Sequence, residues 1–243
     1  MTSSPAAPPQ VRPRRVVTDR RGGRSRSPYA SFNLGDHVGD DAADVAANRE
    51  RVARELDVPG DRLVWMNQVH GTTVTVVDGP QEGPVPATDA LVTATRGLVL
   101  CVLVADCVPI LLADSERGVV AAVHAGREGF RRGVVPATLS AMASLGARAR
   151  YVSALLGPAV CGACYEVPEE MQRDVARVAP AAAVRTRTGT PGLDLRAGVE
   201  AILRKAGVPE VVQDPRCTVE DDLLFSHRRD GVTGRQAGLV WLG

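Results

Sequence analysis

An α+β fold, in one domain from residue 16 to 243, follows from three features of the 243-residue sequence. Strand-like apolar runs outnumber helical patterns and do not alternate strictly with them, which argues against a doubly wound sheet. Two runs, Leu98–Val104 and Gly118–Val123, are continuous Val/Leu/Ala stretches of strand length, the pattern of strands buried on both faces. No internal repeat and no interior linker divides the chain.

Taken in order, residues 1–15 are rich in Pro, Ala, Ser and Arg and are expected to be a disordered tail. A first strand opens at Val16. Residues 19–29 form a basic, glycine-bearing loop whose arginines suit either a solvated surface or an anion. Asp41 caps a helix to about Leu56, with Val45, Asn48, Arg49 and Val52 at helical spacing. Leu63–Met66 and Thr73–Val77 read as strands around an Asn67–Gly71 corner, and Asp89–Thr93 as another. After the two long runs, a helix is expected over Arg131–Leu145, with Pro136 near its start. Val152–Leu156 is a strand, Pro168–Val178 and Leu193–Ala206 are helices, and Val211–Val212 is a short strand. A polar loop over residues 217–235 then leads to a final strand, Ala237–Leu242.

Composition narrows the function. A net charge of +1 gives no electrostatic footprint for nucleic acid. Three Phe, three Tyr and two Trp leave little material for base-stacking platforms. No apolar run approaches the roughly 20 residues of a membrane span, and no secretory signal opens the sequence. Five cysteines, an odd number, argue against a disulfide framework, so a cytoplasmic, reducing setting is expected.

The chemistry gathers at strand ends. The first long run leads into Asp106 and Cys107, the second into His124, and His70 stands in the Asn67–Gly71 corner. Two imidazoles and a thiolate suit zinc with one coordination position open. His70, Cys107 and His124 are therefore read as its ligands, although spacings of 37 and 17 residues match no short zinc motif. Three alternatives stay open. Copper takes the same His₂Cys set but adds a weak axial Met, and Met142 falls in an expected helix. Cys107 with His124 or His70 also forms a nucleophile pair. Cys161-Gly162-Ala163-Cys164 resembles a redox C-x-x-C, placed late in the chain for that role.

Several motifs follow one another in order: Asn67-Gln68-Val69-His70-Gly71, Ala105-Asp106-Cys107-Val108-Pro109, Val123-His124-Ala125-Gly126, Gly157-Pro158, Cys164-Tyr165-Glu166-Val167 and Phe225-Ser226-His227-Arg228-Arg229-Asp230-Gly231. With Pro28-Tyr29, Asn33-Leu34-Gly35 and Gly39-Asp40, they resemble the YfiH/YlmD family, also called laccase-domain, polyphenol oxidase or peptidoglycan editing factor proteins. The resemblance runs from about Thr18 to the end of the sequence.

That resemblance implies a four-layer α/β/β/α sandwich and a zinc ion on the positions of His70, Cys107 and His124. It implies purine nucleoside chemistry: phosphorolysis of adenosine, inosine and methylthioadenosine, with adenosine deamination beside it. The partners are then a purine nucleoside and inorganic phosphate, acting on a monomer or small homo-oligomer. Cys107, Asp106 and His124 are the expected catalytic groups, with Asp106 or Asp89 as proton carrier. Asn33, Asn48, Arg49 and Arg20 are the expected sugar, base and phosphate contacts. A peptidoglycan-precursor hydrolase using a Cys/His pair, or a copper polyphenol oxidase, are the competing expectations. The sequence departs from the family at Arg127-Glu128, where Trp-Arg is usual, and in the loop Gly157-Pro158-Ala159-Val160-Cys161-Gly162-Ala163-Cys164, where Gly-Pro-Cys-Ile-Gly-Pro-Cys-Cys is usual, Cys161 included.

Overall fold

The computed structural model describes residues 12–243. Two sheets lie face to face and a helical layer covers each outer side. The four-stranded sheet is ordered β1 (Pro13–Val17), β12 (Gln236–Leu242), β5 (Val99–Val104) and β2 (Leu63–Val64). The six-stranded sheet runs β11 (Glu210–Gln213), β8 (Val152–Leu156), β6 (Val108–Asp114), β7 (Val119–Ala125), β4 (Ala90–Thr93) and β3 (Val74–Val76). Both sheets are mixed: β2 runs parallel to β5 and β3 to β4, whereas β6 and β7 form an antiparallel hairpin. A small ribbon, β9 (Ala183–Arg185) with β10 (Pro191–Leu193), stands apart.

Side-chain alternation builds the layers. Along β5, Val99, Cys101 and Leu103 face helix α1 (Ala42–Leu56), meeting Val52, Ala53 and Trp65. Leu100, Val102 and Val104 face the other way, onto Leu111, Val120 and Ala122 of the six-stranded sheet. The far face of that sheet, with Ile110, Leu112, Ala121 and Val123, packs on helices α3 (Val134–Ser144) and α5 (Leu195–Lys205) through Val135, Met142, Val199 and Leu203. Strands buried on both faces carry apolar residues at every position, which is why the two long runs read as continuous rather than alternating. The result is the expected α/β/β/α sandwich.

Several boundaries differ from the sequence reading. β1 starts at Pro13, so residues 13–15 are ladder residues rather than tail, and residues 1–11 lie outside the described part of the chain. The helix expected over Arg131–Leu145 is two helices, α2 (Arg127–Arg132) and α3, split at Gly133, whose φ of 97° no right-handed helix accommodates. His124 stands inside β7 rather than past its end, and Val108–Asp114 is a further central strand. The polar loop over 217–235 contains a short helix, α6 (His227–Asp230), capped by the Ser226 hydroxyl, which accepts from the Arg229 amide. Helix α4 (Glu169–Val178) and the Asp41 cap of α1 follow the sequence reading closely.

Candidate functional site

Along β7, Val120, Ala122 and His124 share the face that looks between the sheets, so His124 emerges at the end of the inter-sheet core. Asp89, immediately before β4, lies on the same side and is fully buried. One Asp89 oxygen accepts from His124 Nδ1 at 2.8 Å and from the His70 amide at 2.9 Å. The other accepts from the amides of Gly71 at 2.7 Å and Val69 at 3.2 Å. A single carboxylate thus folds the 69–71 corner and orients one ring, leaving His124 Nε2 as the donor atom. The corner is also tied to β5: Gln68 donates to the Leu103 carbonyl at 2.7 Å and accepts from its amide at 2.8 Å. His70 holds a left-handed backbone, φ 57°, and Asp106, beside Cys107, has φ 99°. Both cost backbone energy and sit where function concentrates.

Three side chains converge there. One donor atom from each of His70, Cys107 and His124 lies within 4.8 Å of the others. Cys107 Sγ is 3.8 Å from His70 Nε2, and the two imidazoles stand edge to face with centroids 4.7 Å apart. Sulfur and nitrogen ligands of one tetrahedral zinc, at about 2.3 and 2.0–2.1 Å, would be about 3.6 Å apart, so the donor set and its spacing fit such an ion. Gly126 makes this approach possible, because a Cβ there would meet His70 Cδ2 at 2.6 Å and Cys107 Sγ at 3.1 Å.

Charge in the cluster is shared. Burial pushes the Cys107 thiol up, but the positive charge of His124 and hydrogen bonds from both imidazoles outweigh it and bring it down to about 6. Burial disfavours protonated His124, yet the Cys107 thiolate and Asp89 raise it to about 9. A divalent cation would stand where that imidazolium proton does.

The cluster floors a cleft of about 360 Å³ lined by His37, Gln68, Arg127, Tyr165, His227, Arg228 and Arg235 among others. Asp106 is at its edge, and its carboxylate is fully engaged. It accepts from Thr218 Oγ1 at 2.6 Å, Ser226 Oγ at 2.7 Å and the Arg228 amide at 2.7 Å. It thereby moors the 217–231 loop to the β5–β6 turn. The Arg228 guanidinium stacks over Tyr165, 5.0 Å from the ring centroid. His227 Nδ1 donates to the Gly231 carbonyl at 2.6 Å, which leaves Nε2 for the cleft.

The four residues expected to touch sugar, base and phosphate do not line this cleft. Asn33 is fully buried, donating to Asp40 and the Gly35 carbonyl and accepting from the amides of Gly35 and Arg235. Asn48 braces the basic loop, accepting from the Arg24 amide and donating to Ser25 Oγ and the Asn33 carbonyl. Arg49 donates to the Leu34 carbonyl, pairs with Asp36 and lies 4.3 Å from the Trp65 ring centroid. Arg20 donates to the Ala30 carbonyl and stacks on Phe225. Their principal hydrogen bonds are made inside the protein. The arginines that do reach the cleft, Arg127, Arg228 and Arg235, come from three separate segments. Two of these segments, the histidine–glycine corner and the FSHRRDG stretch, are visible as motifs.

Comparison with known proteins agrees with this architecture. Residues 14–243 match the family model described as multi-copper polyphenol oxidoreductase laccase. A protein of Mycobacterium tuberculosis named purine nucleoside phosphorylase is 57% identical over 232 residues, covering 96% of this chain and 93% of its own. One of Streptomyces coelicolor with the same name is 58% identical over 226 residues, covering 93% of each. Among solved structures, YlmD from Geobacillus stearothermophilus superposes with a TM-score of 0.90 at 34% identity, over 97% of this chain and 94% of that one. YfiH from Bacillus licheniformis gives 0.87 at 29% identity, over 93% and 91%. With the motifs, the four layers and the His-Cys-His cluster all in place, this chain belongs to the YfiH/YlmD family, the multi-copper polyphenol oxidoreductase laccase family of the matching model.

Proposed function

We propose that the protein is a zinc-dependent purine nucleoside phosphorylase. It would take adenosine, inosine and methylthioadenosine, and also deaminate adenosine. One observation carries the reading: a His₂Cys donor set and three arginines, Arg127, Arg228 and Arg235, line the same cleft. Relatives more than half identical are named purine nucleoside phosphorylase.

His70, Cys107 and His124 would hold the ion, and its contribution when bound is Lewis-acid stabilisation of negative charge. The chain's own residues account for the rest. Arg228 and Arg127 would bind phosphate, since guanidinium groups pair with it bidentately. A phosphate oxygen attacks C1′ of the ribosyl group, the C1′–N9 bond breaks, and its electrons pass to the purine. The departing base needs a proton on a ring nitrogen, and His227 would give it from Nε2 when the ring carries two protons, since Nδ1 keeps its own on the Gly231 carbonyl. Asp106 is a positioning residue, because its lone pairs already serve Thr218, Ser226 and Arg228.

The test is direct. Purified protein with adenosine and phosphate should release ribose 1-phosphate in amounts equal to total free base, adenine plus hypoxanthine, with inosine as a further product. Phosphate-independent base release, or no base at all, ends the phosphorylase reading. Arg228→Ala should raise KM for phosphate about tenfold, about 1.4 kcal/mol, with a smaller effect on nucleoside KM. A thiolate-nucleophile reading has the low Cys107 value in its favour. It requires turnover to survive zinc removal and stop on thiol alkylation, whereas the zinc reading requires chelation to abolish turnover and zinc to restore it.

A further inference from the structure

A second sulfur-rich cluster joins two loops on the wall of the cleft, and the phosphorolysis reading makes no use of it. Cys161, Cys164, Cys217 and Glu220 each offer one donor atom, and the four atoms lie within 4.8 Å of one another. All three thiols are free. Residues 161–164 form a tight turn in which the amides of Cys164 and Tyr165 both donate to the Cys161 carbonyl, at 3.0 and 2.9 Å. Gly162 is needed there, because a Cβ would meet Val184 Cγ2 at 2.7 Å and Asp194 Cβ at 3.0 Å.

Backbone amides point at the sulfurs. Cys161 N–H donates to Cys217 Sγ at 3.3 Å, the amides of Val219 and Glu220 also face that sulfur, and the Ala163 amide faces Cys161 Sγ. N–H···S contacts of this kind favour thiolate. Three soft sulfur donors and one carboxylate oxygen this close together make a set that a thiophilic cation would fill. Arg187 pairs with one oxygen of exposed Glu220, which leaves the other for a ligand bond and places a positive charge beside an over-neutralised site.

We propose that Cys161, Cys164, Cys217 and Glu220 bind a second metal ion, a zinc-class thiophilic divalent cation, in a closed structural site. Three thiolates and a carboxylate fill a tetrahedral shell, with no position open for chemistry. The ion clips residues 159–166 to residues 217–231, already paired by the Ala159–Cys217 bridge and by the Thr218 amide donating to the Ala159 carbonyl at 3.2 Å. These loops carry Val160 and Tyr165, and His227 and Arg228, so the clip sets the spacing of two cleft walls.

The proposal stands or falls apart from any nucleoside assay. Full-length protein, rinsed with a weak chelator, should hold two zinc ions per chain by elemental analysis. Cys107→Ala should hold one, and its cobalt-loaded form should keep a sulfur-to-cobalt charge-transfer band in the near ultraviolet, now supplied by the second cluster. Cys217→Ser should also retain one. Should that variant fail to fold, Glu220→Gln should weaken zinc binding at the second cluster at least tenfold while leaving the first occupied. A folded Cys107→Ala protein with no stoichiometric ion and no such band overturns the proposal. So does a native disulfide among Cys161, Cys164 and Cys217 in protein purified with zinc present.

Discussion

Asp89 shows what a single side chain contributes. Its two oxygens serve three amides and one imidazole, so it fixes the place of His70 and the direction of His124 together. Asp89→Asn should weaken zinc affinity by about 10–100-fold, read by chelator competition. It should also lower stability by about 1–3 kcal/mol, because a carboxamide nitrogen facing those amides leaves donors unpaired. Asp36 gives a pH-dependent case. Its hydrogen bond to His37 and the charge of Arg49 outweigh burial and hold its carboxyl down to about 2. Its contribution to stability is complete above the unfolded value near 3.8 and is lost as pH falls through about 2. Asp36→Asn should therefore cost a little near neutrality, under about 1 kcal/mol for so exposed a pair, and progressively less as the pH is lowered toward 2, measured by urea midpoints. Residue identity alone singles out His70, Cys107 and His124, which the fold brings together, but it also points to polar groups that lie away from the cleft. Asn33, Asn48, Arg49 and Arg20 have the right chemistry for a substrate, and only the fold shows that carbonyls, amides and neighbouring rings already occupy them. Asp89 reads in the sequence as a carboxylate near a strand start, but nothing local tells that four donors surround it.

At the scale of elements, the sequence is most legible where burial is most complete. β5, β7 and β8 are close to their expected spans because apolar residues at every position leave few other readings. It is least legible where a glycine or a short polar segment decides. Gly133 divides α2 from α3, and α6 is four residues held by a serine cap rather than by periodicity. Gly126 and Gly129 mark where α2 must approach the site. A methyl group at position 126 would press on both His70 and Cys107, so Gly126→Ala should lose zinc at least tenfold more readily while keeping its far-ultraviolet circular dichroism. Gly129→Ala should cost more in folding, since its Cβ would stand 2.7 Å from the Gly71 carbonyl oxygen, and backbone cannot swing aside as a ring can.

For the whole molecule, the inter-sheet layer couples stability to the site, because His124 emerges from its end and Cys107 packs against it. Leu111, fully buried between the sheets, is the clearest probe: Leu111→Ala should cost about 2–5 kcal/mol, measured by denaturant unfolding. The layered architecture follows from family resemblance more than from pattern, since continuous apolar strands do not say which sheet they join. That uncertainty has a counterpart in the molecule. Among the described residues, β12 is the one strand paired with β1 in the four-stranded sheet, and Pro13 pairs with Leu242. While the chain is still being made on the ribosome, that early segment therefore has no mate. It must stay soluble with its hydrogen-bonding edge bare until residues 236–242 have emerged, the interval in which a chaperone would have most to do.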